Sequence, residues 1–146
     1  MRDSWDVYFL RVADVIKDRS TCTRLSVGSV AVKDNKIIST GYNGSPSGEE
    51  HCIDVGCLMK KGHCIRTIHA ELNAIMNGME TGVNLKGSTL YVTHFPCFNC
   101  AKHIVQAGVS RIVYENDYKN SRDAVELFKR NGLLVEKVNK ELEEVR

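Results

Sequence analysis

The sequence has no run approaching the ~20 apolar residues that a membrane-spanning helix needs, and no excess of one charge. Its 20 basic and 18 acidic residues leave a formal net charge of +2. A chain this balanced does not advertise nucleic-acid binding, although a local basic patch can hide within the total. Proline is scarce, at 2 residues, and there is no internal repeat and no low-complexity linker. The opening MRDSWDVYFL is charged and amphipathic. It lacks the apolar core and small-residue cleavage site of a secretory signal. The expectation is a cytoplasmic protein with neither membrane nor nucleic acid as a partner.

What is present is ordinary for a globular chain, with 42% hydrophobic and 26% charged residues. The 146 residues fit one domain spanning 1–146, large enough to bury a core without staples. Trp5, Tyr8, Phe9, Val12, Val15 and Ile16 recur at helical spacing within 4–19. VGSVAVK (27–33) and KIISTGY (36–42) are β-rich and joined by Asp34-Asn35, a hairpin signal. NGSPSGEE reads as loop, and 49–66 has no clear period. Then helices at 68–79, 97–107 and 121–131 alternate with strands at 88–94, 111–115 and 133–138. Such alternation implies parallel strands with helices on the faces, and the early hairpin adds an antiparallel pair. The predicted fold is three-layer α/β/α around a mixed five-stranded sheet.

Six cysteines require an explanation, because disulfides are disfavoured in a reducing compartment and clustered cysteines there more often bind metal. Cys97 and Cys100, in FPCFNC, lie on one face of a first helical turn that Pro96 opens. A helix N-terminus lowers thiol pKa and favours the thiolate that a metal needs. Alone, this CxxC is equally at home in a redox pair or a core. In TIHAELNA, His69 also stands at a helix start, with Glu71 two residues on. If both helix starts meet, His69, Cys97 and Cys100 give a metal three ligands. The fourth tetrahedral position is then left for water, as in catalytic zinc sites. Glu71, close by but not a ligand, can move protons. Read singly, Glu71 is also a solvated helix-front carboxylate and His69 a hydrogen-bonded core histidine.

H-x-E paired with P-C-x-x-C is the signature of zinc-dependent nucleobase deaminases. HAE at 69–71 and PCFNC at 96–100 match it in the expected strand–helix context. More finely, GYNGSPSG (41–48), HAELNAI (69–75) and YVTHFPCFNCAKHIVQAGV (91–109) resemble the deoxycytidylate (dCMP) deaminases. GHCIRTIHAE (62–71) looks like their bacterial and phage branch. The resemblance covers nearly the whole chain. It implies hydrolysis of dCMP to dUMP and ammonia, supplying dUMP for dTMP synthesis. Zinc would activate the water that attacks C4. Glu71 would relay the proton to N3 and then to the departing amine. The Ala70 N–H would contact the base O2, and the Phe95 carbonyl the leaving amine. Asn43 would hold the sugar or 5′-phosphate end, with Arg24 and Tyr118 toward the phosphate. Arg24 is equally a plain surface arginine, and Tyr118 a packed loop aromatic.

The remaining cysteines, Cys22, Cys52, Cys57 and Cys64, point to a second, structural zinc that holds the irregular 49–66 segment. His63 or His51 are substitute ligands, and small buried thiols are the alternative. His94 and His103 read as structural. The resemblance also implies a homohexamer, activated by dCTP with Mg²⁺ and inhibited by dTTP. Gly41, Tyr42 and Gly44 are the candidate effector loop, since glycines let backbone amides approach phosphate. Rival readings are a deaminase of modified dCMP, dCTP, cytidine or tRNA adenosine, and a non-catalytic zinc-stabilised binding module tied to DNA uptake. A closed site with four protein ligands would favour the last.

Overall fold

The computed structural model describes residues 2–143; Met1 and residues 144–146 of the expected 1–146 span lie outside the described residues. The chain opens with α1 (Trp5–Lys17), whose Ser4 hydroxyl accepts from the Val7 N–H at 3.2 Å. Ser is a favoured cap because its oxygen satisfies a helix-start N–H that has no intrahelical partner. β1 (Gly28–Lys33) and β2 (Lys36–Tyr42) follow as an antiparallel hairpin. Asp34 and Asn35 turn it with φ of 53° and 59°. Two successive positive φ values suit Asn and Asp, whose short polar side chains tolerate that region.

The irregular segment contains pieces too short for any periodicity to reveal: α2 (Cys52–Val55) and a small hairpin of β3 (Met59–Lys60) and β4 (His63–Cys64). Regular alternation then runs through α3 (Ala70–Glu80), β5 (Thr89–His94), α4 (Phe98–Gln106), β6 (Arg111–Asn116), α5 (Arg122–Arg130), β7 (Leu134–Lys137) and α6 (Lys140–Glu143). The main sheet has five strands in the order β2-β1-β5-β6-β7. β1 runs antiparallel to β2 and β5, whereas β5, β6 and β7 are parallel. The predicted mixed sheet is the observed one.

Strand alternation sorts the core into two faces. Val30, Val32, Tyr91 and Val113 pack with Val7, Phe9, Leu10 and Ala13 of α1. Ala31, Leu90, Val92 and Ile112 pack on the other side, with Cys100, Ala101 and Ile104 of α4 and Ala124 and Phe128 of α5. Among the described residues no helix is long and apolar enough to cross a membrane.

α3 lies tightly against the hairpin. A Cβ on Gly41 would come within 2.3 Å of the Ala70 carbonyl and 2.4 Å of the Ala74 nitrogen. Only the missing side chain admits helix backbone this close to strand backbone. Side chains then fix the helix in register. Asn73 and Asn77 donate to the carbonyls of Tyr42 (2.8 Å) and Thr40 (2.7 Å). The Ser29 hydroxyl donates to the Ala70 carbonyl at 2.9 Å, and that of Ser39 to the Ala74 carbonyl. Gly41→Ala is expected to force backbone apart and cost about 1–3 kcal/mol, read by urea denaturation. An unchanged midpoint would show that α3 has slack on the sheet.

Candidate active site

Two helices begin at one point. His69 is the N-cap of α3 and Cys97 the N-cap of α4. Each cap residue has extended backbone, so its side chain turns across the helix start. The His69 Nδ1 atom lies 3.5 Å from the Cys97 Sγ and 3.3 Å from the Cys100 Sγ. Bond lengths of about 2.0 Å for Zn–N and 2.3 Å for Zn–S place tetrahedral N and S donors about 3.5 Å apart. The donor set therefore fits zinc. Among the described residues no fourth His, Cys, Asp or Glu joins this group. The geometry is that of an open site rather than the closed one a binding module would need.

The thiols share protons accordingly. The Cys97 pKa is pushed down to about 4, chiefly by its hydrogen bond with Cys100 and against burial, with His69 adding to the effect. The same bond, followed by burial, pushes Cys100 up. His69 is raised above its ordinary value, first by its bond to Cys97. One thiolate is thus ready without metal, and a cation would draw off the second proton. Glu71 is buried in the first turn of α3, and burial raises its carboxyl to about 7. A carboxyl near 7 both accepts and returns a proton at neutral pH.

The cavity over these groups is lined by His69, Ala70, Glu71, Phe95 and Cys97, and also by Arg24, Asn43 and Tyr118. It therefore brings together all nine residues singled out for catalysis, metal and substrate except the buried Cys100. Ala70 is the first residue of α3, where an N–H has no intrahelical acceptor. The Phe95 N–H donates to Asn116 at 2.9 Å, and its carbonyl accepts from no described residue. Asn43 is largely occupied: its Oδ1 accepts from Val27 at 2.9 Å and its Nδ2 donates to Leu25 at 2.7 Å. It shapes the cavity wall by holding the 25–27 segment. Arg24 and Tyr118 are exposed at the outer end.

The cavity is also lined by Lys119 and Thr67, which the sequence reading did not single out, and by His63, which it offered only as a substitute ligand for the second zinc. His94, read as structural, faces this cavity because the last residue of β5 stands beside Phe95 at the strand's C-terminal edge. His103 keeps a structural role, with Nδ1 2.7 Å from the Asn99 carbonyl.

Cys52, Cys57 and Cys64 form a second convergence, with sulfurs within 4.8 Å of one another. Cys52 and Cys64 are 3.7 Å apart, near the roughly 3.8 Å of two thiolates on one tetrahedral zinc. Burial, then contact with the other two sulfurs, pushes Cys52 up to about 12. At Cys64 burial acts upward too, but backbone N–H groups of Arg66 and Leu58 bring it down to about 7. Cys22, His51 and His63 are not in this group. Cys22 lines the catalytic cavity, as Cys64 also does, and its sulfur accepts from the Arg24 N–H at 3.4 Å.

In the glycine-rich loop much of the backbone is engaged within the protein. Gly41 meets the close approach of α3, which leaves no room for a side chain. The Gly44 N–H is already bonded to Ile68 and the Asn43 N–H to Val27. Tyr42 gives its carbonyl to Asn73.

The family model for the cytidine and deoxycytidylate deaminase zinc-binding region matches residues 3–116. The chain belongs to this family. ComE operon protein 2 of Bacillus subtilis is 49% identical over 144 residues, covering 99% of this chain and 75% of the relative. The deoxycytidylate deaminase of Saccharomyces cerevisiae is 35% identical, with 92% of this chain and 45% of the relative covered. Among solved structures, dCMP deaminase from the cyanophage S-TIM5, in complex with dCMP and dUMP, superposes with a TM-score of 0.83 at 33% identity. That match covers 94% of this chain and 99% of the other. Zinc is the metal of this deaminase domain, and the donor geometry fits it.

In metal-stripped protein, alkylation should strike Cys97 before Cys100. Its rate should be flat from about pH 6 to 8, whereas an ordinary thiol gains about tenfold per unit there. Mass mapping that finds Cys100 modified first would overturn this order of proton sharing.

Proposed function

We propose that the protein deaminates dCMP to dUMP and ammonia, with zinc held by His69, Cys97 and Cys100. The observation that carries this reading is the buried Glu71 carboxyl beside an open three-donor site. dCMP is supported as substrate by relatives that bear the name deoxycytidylate deaminase and by the phage enzyme seen with dCMP and dUMP.

Bound zinc supplies the Lewis acidity that makes water a nucleophile at neutral pH. The protein supplies the rest. Glu71 takes one proton of the attacking water and transfers it to N3, then takes the remaining proton from the hydroxyl added at C4 and delivers it to the amine as C4–N breaks and the C4 carbonyl forms. The Ala70 N–H orients the base through O2. The Phe95 carbonyl accepts from the amine and holds it on the leaving side. Asn43 keeps the sugar wall in place, and Arg24 and Tyr118 face the 5′ end. Glu71→Gln should retain zinc and fold but lose about 10²- to 10⁴-fold in turnover. Near-normal turnover would remove Glu71 from the proton relay.

The second zinc belongs to the same proposal, on Cys52, Cys57 and Cys64. Metal analysis should then give about two zinc per chain. Cys57→Ser should lower this by about one while dCMP turnover persists. About one zinc per chain in active wild-type protein excludes it. A homohexamer, activation by dCTP with Mg²⁺ and inhibition by dTTP rest on the family resemblance.

The deciding assay is loss of cytosine absorbance with dCMP, beside dCTP, cytidine and an RNA hairpin. Preferential turnover of dCMP is expected. Turnover of another substrate alone keeps the site chemistry and discards dCMP.

A further inference from the structure

The cavity has two chemically different ends. One end carries the metal donors His69 and Cys97 with the buried Ala70 and Glu71, and the exposed outer end carries Arg24, Tyr118 and Lys119. His94 stands between them. Its ring meets Tyr118 edge to face, with centroids 6.1 Å apart at 84°. The Lys119 ammonium lies 5.6 Å from the Tyr118 ring centroid. His94, Tyr118 and Lys119 thus form one row leading from Phe95 to the outer end.

The proton on His94 can be located from its neighbours. Thr93 is fully buried, and its hydroxyl oxygen accepts from the Gly28 N–H at 3.2 Å. Its own hydrogen then needs an acceptor, since a buried unsatisfied donor is costly. The acceptor within reach is the His94 Nδ1 atom at 2.8 Å. Nδ1 therefore accepts, and in the neutral ring the hydrogen sits on Nε2. Nε2 bonds to no described residue and is not among the buried atoms without partners. It opens toward the cavity that the ring lines. Burial, then the charge of Lys17, holds the ring's pKa below its ordinary value, so the ring is neutral near pH 7.

We propose that His94 reads the 5′-phosphate of the substrate, its Nε2–H donating to a phosphate oxygen beside Lys119. This rests on the nucleotide reading above. The inner end already has its own donor and proton carrier for the base. The outer end offers two cations, Arg24 and Lys119, which match an oxyanion better than a sugar hydroxyl. A neutral donor held through Thr93 and Gly28 adds direction where the flexible cations add charge.

The test compares kcat/KM for dCMP and deoxycytidine in wild type, His94→Leu and His94→Gln, all zinc-loaded. His94→Leu should reduce the preference for dCMP over deoxycytidine about 10- to 100-fold, mainly through KM for dCMP. His94→Gln keeps a donor near the Nε2 position and should recover most of that preference. Equal losses on both substrates, or none on dCMP, would overturn the assignment. Should the variants misfold, imidazole ¹⁵N spectra of wild type decide. The Nε2–H form, shifted by dUMP but not by deoxyuridine, is expected, and an Nδ1–H form would refute it. Wild type inert toward dCMP is a different failure, seen before any variant is made, and it removes the substrate reading itself.

Discussion

The seat of α3 on the β1–β2 hairpin is the constraint from which the rest of the molecule follows. Backbone meets backbone at Gly41, and four side chains, Ser29, Ser39, Asn73 and Asn77, lock the helix lengthwise. Because side chain–backbone bonds are directional, they specify position in a way that apolar contact does not. The helix start, and with it His69, Ala70 and Glu71, is thereby set against the sheet. β5 sets the partner start, since it delivers Phe95, Pro96 and Cys97 to the same edge. Metal geometry tolerates errors of only a few tenths of an ångström. A rigid seat for both helices is how a small chain achieves that.

The electrostatics agree with this architecture. Both helix starts present unsatisfied N–H groups, which favour thiolate over thiol. Burial works on Glu71 in the opposite sense and keeps its carboxyl close to neutrality. One small volume thus holds a thiol tuned to release its proton early and a carboxyl tuned to keep its proton late. Such divergence among neighbouring groups marks a site built for proton traffic.

Much of this was legible in the sequence, for physical reasons. Long amphipathic segments and an Asp-Asn turn leave strong periodic signals, so the main sheet and its flanking helices emerged from pattern alone. HAE and PCFNC sit at helix starts, where local spacing fixes which side chains share a face. The 49–66 region resisted because two-residue strands and a four-residue helix fall below any period. Its cysteines advertised a cluster but not its membership: Cys22 looked equivalent to the others, yet the group is Cys52, Cys57 and Cys64. Gly41 was read for the freedom of its backbone, whereas its value is the space it leaves. His94 was read as structural because no spacing rule links it to the donors. Its role depends on which way the last residue of a strand faces.

Phe95 joins two compartments that are otherwise separate. Its ring packs edge to face on Tyr114 and Phe128, inside the core closed by α5. The same residue lines the catalytic cavity. Packing in the interior around α5 is therefore joined, through a single residue, to the wall of that cavity. The filling of the core and the shape of the site meet at this one residue, so repacking the first also redraws the second.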